Sequence, residues 1–415
     1  MKPYLFVLLG AHLNELNIQR CGLPQLRSCF TVVTLDCRNY LDRSFDKSDE
    51  MKAIDTQRWM EYSVIHEIDN FNEFTQIFLR YKPLYVIDFA GPGERVRKIQ
   101  KFVQSHNSKF VVHELGKFPQ LPPHQRLKRL FGVVEQNRTI RPLNSVQLTK
   151  LNDVPRKKNL YIWKLIKVIF QTRYPVRPDV AIVAGNRAIR YEVKRSKKIL
   201  FCNSLDAHAF KSVEISGDSQ IEALSEGNYD VFIDDCMTAS PTGTMLNWNL
   251  VQPQTYFPLL NKYFSLRECA TGRKIVICGH PNSRYMSQYQ DNFEGRKFYM
   301  DSTQEIVRLS HTVLSHGSTS ISFAVLGNKP IVFLTSTEIA KSVFGPNIKM
   351  LSRQLGSPLI SIDTNGIADP TNPLLSLRKQ SKFKSNFLEF ESIDLSNPWD
   401  KFVEWTKKSI VNSNN

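Results

Sequence analysis

Three short groups of residues in the second half of the chain carry side chains suited to chemistry on an anionic, oxygen-rich substrate. Asp234-Asp235 follow directly on the apolar run Val231-Phe232-Ile233. Adjacent carboxylates repel, and the repulsion lifts one of them towards the proton affinity of a general base. His280-Pro281 follow the apolar run 275–278 through Gly279. A histidine there can give a hydrogen bond or charge to a departing phosphate, while Pro281 fixes the turn and starts the next helix. Ser315-His316-Gly317-Ser318-Thr319-Ser320 follow the run 312–314. Ser318 is a good N-cap for a helix over about 319–326, with Gly327 as its stop. The free N–H groups of a helix start, joined by the hydroxyls of Ser318, Thr319 and Ser320, suit a phosphate. Each group alone has a plainer reading: a loop start, a structural histidine, ordinary capping. Together, at three strand ends, they are far more specific than any one of them.

The elements that position these groups follow from the apolar pattern. Short apolar runs bounded by Gly and Pro, with helical patterns between them, read as buried parallel strands of a doubly wound sheet. Ligands of such sheets bind outside the carboxyl ends of the strands, which is where all three groups fall. Strands are expected at 4–9, 31–35, 84–89, 110–113, 180–183 and 199–202, and in a second set at 231–233, 275–278, 312–314, 331–334 and 359–362. Helices are expected at 71–81, 95–106, 257–270 and 303–309. The turn Gly91-Pro92-Gly93 reads as the plain opening of the second of these helices.

The fold class expected is α/β, with two successive doubly wound, Rossmann-like domains and a cleft between them. The first domain spans 1–215 and the second 216–395, meeting near 205–225. A helix within 396–415, capped by Ser396 with Pro398 near its start, packs back on the first domain. Residues 114–158, rich in Pro and basic residues, read as a long insertion. The stretch 159–170 reads as a helix buried against the sheet, with an anionic membrane surface as its other possible bed.

Composition narrows the partners. The formal net charge of +16 directs attention to anions. No zinc-finger pattern or basic tail accompanies it, so nucleic acid is not expected. Seven cysteines without a Cys-x-x-Cys fit reduced thiols of a cytoplasmic protein. The run 4–9 reads as a first strand rather than a leader segment, and no run approaches the length of a membrane span. No metal is expected, since Asp-x-Asp and zinc-type His/Cys spacings are absent from the sequence. Gly-x-Ser-x-Gly, P-loop and Gly-x-Gly-x-x-Gly motifs are absent too.

The order acidic pair, His-Pro, Ser/Thr cluster resembles the motifs of GT-B glycosyltransferases that use CMP-activated sugars, namely bacterial sialyltransferases, polysialyltransferases and Kdo transferases. The segment "GHPNSRY…GRKFYMDSTQEIVRLSHTVLSHGSTSISFAVLGNKPIVFLT" also looks like bacterial surface-carbohydrate biosynthesis proteins. The likeness covers about 231–335 well and the first half only in its alternation. It implies a transferase that moves an ulosonic or nonulosonic acid from a CMP donor to a glycan acceptor by metal-independent, inverting transfer. The resemblance also implies a GT-B arrangement, with an acceptor domain over 1–215 and a nucleotide-sugar domain over 216–395. No cofactor is implied, because the CMP-sugar is substrate. Asp234 or Asp235 would be the base and His280 would act on the phosphate. Pro281, Ser315, His316, Gly317, Ser318, Thr319 and Ser320 would hold the donor. The resemblance also implies a cytoplasmic enzyme, with peripheral association at an anionic membrane face among its expected partners. One departure is that Cys236 stands where those families have Gly after the acidic pair. A UDP- or GDP-sugar transferase, a CDP-polyol transferase, a sugar-nucleotide 2-epimerase and a non-catalytic glycan-binding scaffold are the competing readings.

Overall fold

The computed structural model describes residues 2–41, 56–116, 177–212, 228–238, 251–364, 373–390 and 397–414, apart from a few positions within them. The basic insertion and the helix expected at 159–170 fall largely or wholly outside the described residues, as do 213–227. The chain divides into two units. One contains the chain up to Leu115, the described residues to Leu205, and those from Phe390 onward; the other contains Asp206–Glu389.

The first unit is built on a seven-stranded parallel sheet, in the order β3-β2-β1-β4-β5-β6-β7. Its strands are β1 (Tyr4–Leu9), β2 (Thr31–Asp36), β3 (Val64–Glu67), β4 (Tyr85–Phe89), β5 (Lys109–Glu114), β6 (Val180–Ala184) and β7 (Lys198–Cys202). Of these, only β3 is missing from the strands expected from the sequence. It is an edge strand with no buried residue, so it lacks the apolar run that marks a doubly covered strand. The helix Pro398–Asn414 belongs to this unit. Trp399 and Phe402 on it are fully buried, and the indole Nε1–H donates to the Arg20 carbonyl at 3.1 Å.

The second unit holds a six-stranded parallel sheet in the order β10-β9-β8-β11-β12-β13. These are β8 (Tyr229–Ile233), β9 (Lys274–Cys278), β10 (Phe298–Tyr299), β11 (Val313–Ser315), β12 (Ile331–Thr335) and β13 (Leu359–Ser361). The chain starts at β8, winds outward through β9 and β10, then returns to lay β11 on the other flank of β8. This is the doubly wound order, and β8/β11 is its switch point. β10 has two residues, too few to leave a pattern in sequence. The helix expected at 257–270 starts earlier and runs Pro253–Thr271. Pro258 lies inside it, close enough to the start that the missing N–H costs one hydrogen bond rather than the helix. The expectation of an α/β chain with two Rossmann-like sheets is borne out.

β8 is anchored at its amino end by charge. Asp230 and Arg267, both fully buried, pair at 2.6 Å, and Arg273 Nε reaches the other Asp230 oxygen at 2.9 Å. Breaking a buried pair from one side strands the opposite charge, at a cost of about 3–5 kcal/mol. Asp230→Ala is therefore expected to lower the unfolding free energy of this unit by about that amount in urea. A loss below about 1 kcal/mol would show that water or a rearranged partner compensates the arginines.

Candidate functional site

Ile233, the last residue of β8, is in register with Cys278 of β9 on one side and Ser315 of β11 on the other. Asp234, Gly279 and His316 therefore leave the sheet at one level, and the three groups singled out in the sequence meet at its carboxyl edge. Gly279 is required there. A Cβ on it would lie 2.3 Å from the Phe298 ring and 2.6 Å from Met300 Sδ.

The two aspartates diverge, as consecutive residues leaving a strand must. Asp234 turns towards β9 and is 1% exposed. Its Oδ1 accepts from the Cys236 N–H at 3.1 Å and the Tyr289 hydroxyl at 3.3 Å, and its carboxylate also takes the backbone N–H groups of His280 and Asp235. Asp235 turns towards β11, where it accepts from the Ser318 hydroxyl and from the backbone N–H groups of His316 and Ser318. It is partly buried. The Oδ2 atoms of both residues are shielded from water and have no hydrogen-bond partner.

Burial lifts both carboxyls. Asp234 is raised to about 6 by desolvation, against the pull of its donors. Asp235 is pushed up to about 8 by desolvation first and by the Asp234 charge second. Around neutral pH the pair thus holds one proton between two carboxylates.

His316 is a correction. The sequence places it among the donor-binding residues, but its ring is 1% exposed and fully engaged inside the fold. Nδ1 lies 2.8 Å from the Leu334 carbonyl, which can only accept, so Nδ1 carries the proton. Nε2 then accepts from the Tyr256 hydroxyl at 2.9 Å. Burial pushes the imidazole down to about 4, so it stays neutral. Ser315 is also internal: it is fully buried, and its Oγ accepts from the N–H groups of Gly317 and Ser318 at 2.9 and 3.2 Å.

The expected helix cap is corrected as well. The helix is Ile321–Leu326, with Ser320 as an N-cap that makes no side-chain bond. Ser318 instead receives the Ser320 N–H on its Oγ at 3.4 Å and the Ile321 N–H on its carbonyl at 3.2 Å. A six-residue helix whose preceding turn is bonded internally is no ready-made anion cradle. Ser318 remains at the crevice through its bond to Asp235, and Thr319 is exposed beside it. Gly317 has φ of +126°, which favours glycine. His280 is half-buried, with its carbonyl accepting from the Ser283 N–H at 2.8 Å and Oγ at 2.7 Å; Pro281 is exposed after it.

Two residues of the site lie outside those the sequence points to. Tyr256 falls in the turn that the expected helix left out, and Tyr289 sits in the short 3-10 helix Tyr289–Phe293. Each reads in sequence as an ordinary aromatic core residue, and only the fold shows what its hydroxyl holds.

The titrations give a signed prediction. Asp235, raised in the fold, costs stability as pH climbs from the ordinary carboxylate range through about 8. His316, lowered in the fold, costs stability as pH falls below its ordinary 6.5 towards about 4. The two oppose each other in acid, and between pH 6.5 and about 8 Asp235 alone of the two is titrating. The melting temperature is expected to fall across that window, and Asp235→Asn to flatten the fall. Thermal scans of both proteins across the window check it, and equal slopes would refute the assignment.

No family model matches the chain, and no curated protein matches it. Solved structures do. The structure of Phytolacca americana UGT2 complexed with UDP-2fluoro-glucose and pterostilbene is 8% identical, with 98% of this chain and 99% of that chain covered at a TM-score of 0.52. The UDP-GlcNAc 2-epimerase from Methanocaldococcus jannaschii is 10% identical over 98% of this chain and 99% of its own, at 0.47. MurG of Acinetobacter baumannii is 10% identical over 98% and 100%, at 0.46. At these identities the likeness is one of fold. It extends over nearly the whole chain and is of the GT-B kind.

Proposed function

We propose that this chain is a glycosyltransferase that moves a sugar from a nucleotide donor to a hydroxyl of a glycan acceptor, with a CMP-activated ulosonic acid as the donor. The observation that carries the reading is the meeting of Asp234-Asp235, His280 and Ser318 at the β8/β11 switch point. In a doubly wound sheet that is where a nucleotide's phosphate belongs. In transfer, the acceptor hydroxyl gives its proton to the aspartate pair as its oxygen bonds to the anomeric carbon. The bond from that carbon to the donor phosphate breaks, and its electron pair leaves on the phosphate oxygen. His280 and the Ser318 and Thr319 hydroxyls stabilise the charge that builds there. Asp235, the less buried of the pair, is the member that faces the crevice.

The charge of the site favours a CMP donor. The groups that bond the pair are hydroxyls and amides, so each negative charge brought to the phosphate position is felt. A CMP-sugar brings one phosphate there where a UDP-sugar brings two, the ulosonate carboxylate being carried on the sugar. A UDP-sugar is the second reading, favoured by the UDP-2fluoro-glucose complexed with the Phytolacca americana protein that shares the fold. No described helix is long and apolar enough to cross a membrane, and the membrane contact proposed for the chain is a peripheral one.

Binding and turnover test the reading separately. CMP is expected to raise the melting temperature more than UDP, GDP or ADP, with no loss of the shift in EDTA. A preference for UDP would move the assignment to the second reading. Asn at whichever of Asp234 and Asp235 takes the acceptor's proton is expected to cost roughly 10²–10⁴ in kcat with donor binding nearly intact. His280→Ala is expected to weaken both binding and turnover, and Ser318→Ala to do less. Full activity in both aspartate variants would end the catalytic role of the pair.

A further inference from the structure

The crevice presents a problem of charge. Two carboxylates leave one strand end side by side, and each keeps an Oδ2 shielded from water and without a hydrogen-bond partner. Asp235 holds the Ser318 hydroxyl, the same group that a phosphate at this turn would use, together with the His316 and Ser318 amides. Among the described residues, the titratable groups packed around it offer no compensation. Asp234 adds a like charge from the same strand end. The His316 ring, from the β11 turn, is committed to Leu334 and Tyr256 and stays neutral. Tyr256, from helix Pro253–Thr271, and Tyr289, which faces Asp234, keep their phenol protons, and Cys236 is a buried thiol. His280 stands on the β9 side, with its amide on Asp234. A third negative charge brought to Ser318 meets two carboxylates that cannot both remain ionised beside it.

We propose that an anionic nucleotide binds at the β8/β11 crevice together with one proton, held by Asp235, whose carboxyl turns from an acceptor of the Ser318 hydroxyl into a donor to the ligand's phosphate. The inference rests on the reading of the crevice as a nucleotide site. No bond of the ligand is made or broken. A proton from solvent joins Asp235 whenever the pair was fully ionised beforehand. The proton sits on Oδ2, the atom of Asp235 with no donor already directed at it, and rotation of the carboxyl presents it to the phosphate as the Ser318 hydroxyl is released. Asp234 keeps the Cys236 amide and the Tyr289 hydroxyl on its Oδ1 and stays the ionised member, so the pair enters the complex as one acid and one base. The site therefore prefers ligands of low charge, such as a phosphodiester monoanion, over those that bring a diphosphate.

The test is proton-linked calorimetry of the full chain with CMP and with UDP, in buffers of different ionisation heat. The free pair loses its second proton near pH 8, whereas a terminal phosphate titrates near pH 6, so a window of about pH 7–9 isolates the protein's proton. Uptake is expected to rise from near none at pH 7 to about one proton per nucleotide at pH 9, with affinity falling about tenfold between them. Asp235→Asn is expected to bind with no uptake and with affinity level across the window. Tight binding without uptake in the wild type overturns the proposal and leaves the nucleotide reading standing. Uptake that persists in Asp235→Asn places the proton elsewhere, His280 included, and also overturns it. Failure of both nucleotides to bind removes the nucleotide reading and the proposal together.

Discussion

The order in which the strands of the second sheet are laid down decides most of what this protein can do. β8 is flanked by β9 on one side and β11 on the other, and the connections leaving its two neighbours go opposite ways. Such a switch point opens a crevice at the carboxyl ends of the strands beside β8. Consecutive residues at the end of β8 then face different neighbours. That is why Asp234 collects donors from the β9 side and Asp235 from the β11 side. A carboxylate pair at the end of an edge strand, β10 or β13, would have had one flank only.

The two ends of β8 treat acidic side chains in opposite ways, and the contrast separates scaffold from site. At the amino end Asp230 meets two guanidiniums, both of its oxygens taken by ionic partners at 2.6 and 2.9 Å. Such a carboxylate is neutralised, fixed and unavailable. At the carboxyl end Asp234 and Asp235 meet hydroxyls and amides, which orient a carboxylate without cancelling its charge. Groups left under-compensated in a buried crevice cost stability, and they are kept where proton transfer or ligand binding needs them. The tyrosines fit this division. Tyr256 and Tyr289 bring hydroxyls to His316 and Asp234 without adding charge.

What can be read in the sequence follows from how each feature is encoded. The central strands are legible because burial on both faces leaves an unbroken apolar run. β3 is not, because an edge strand is half polar, and β10 is too short to show any period. The convergence of Asp234-Asp235, His280 and Ser318 is legible because all three groups follow strands of one sheet, and parallel strands deliver their ends to one edge. The roles within the cluster are less legible. Ser318 has the right residue type for a cap, yet the chain spends two more residues in a turn before the helix begins at Ile321. His316 looks like a ligand among hydroxyls until the Leu334 carbonyl and the Tyr256 hydroxyl are seen on its two nitrogens. Contacts made by residues 60 and 18 positions away have no local signature.

Cys236 shows what a strained residue beside the pair costs and how the fold offsets it. It follows directly on Asp234-Asp235 and has φ of +50°. This is left-handed backbone taken by a residue other than glycine. For a residue with a Cβ that conformation costs roughly 1–2 kcal/mol. The Cys236 N–H meets Asp234 Oδ1 at 3.1 Å, in a direction set by the peptide plane it shares with Asp235. The left-handed φ therefore decides only where the Cys236 side chain and the following chain go. That side chain is fully buried beside Met286, and its burial offsets what the backbone loses.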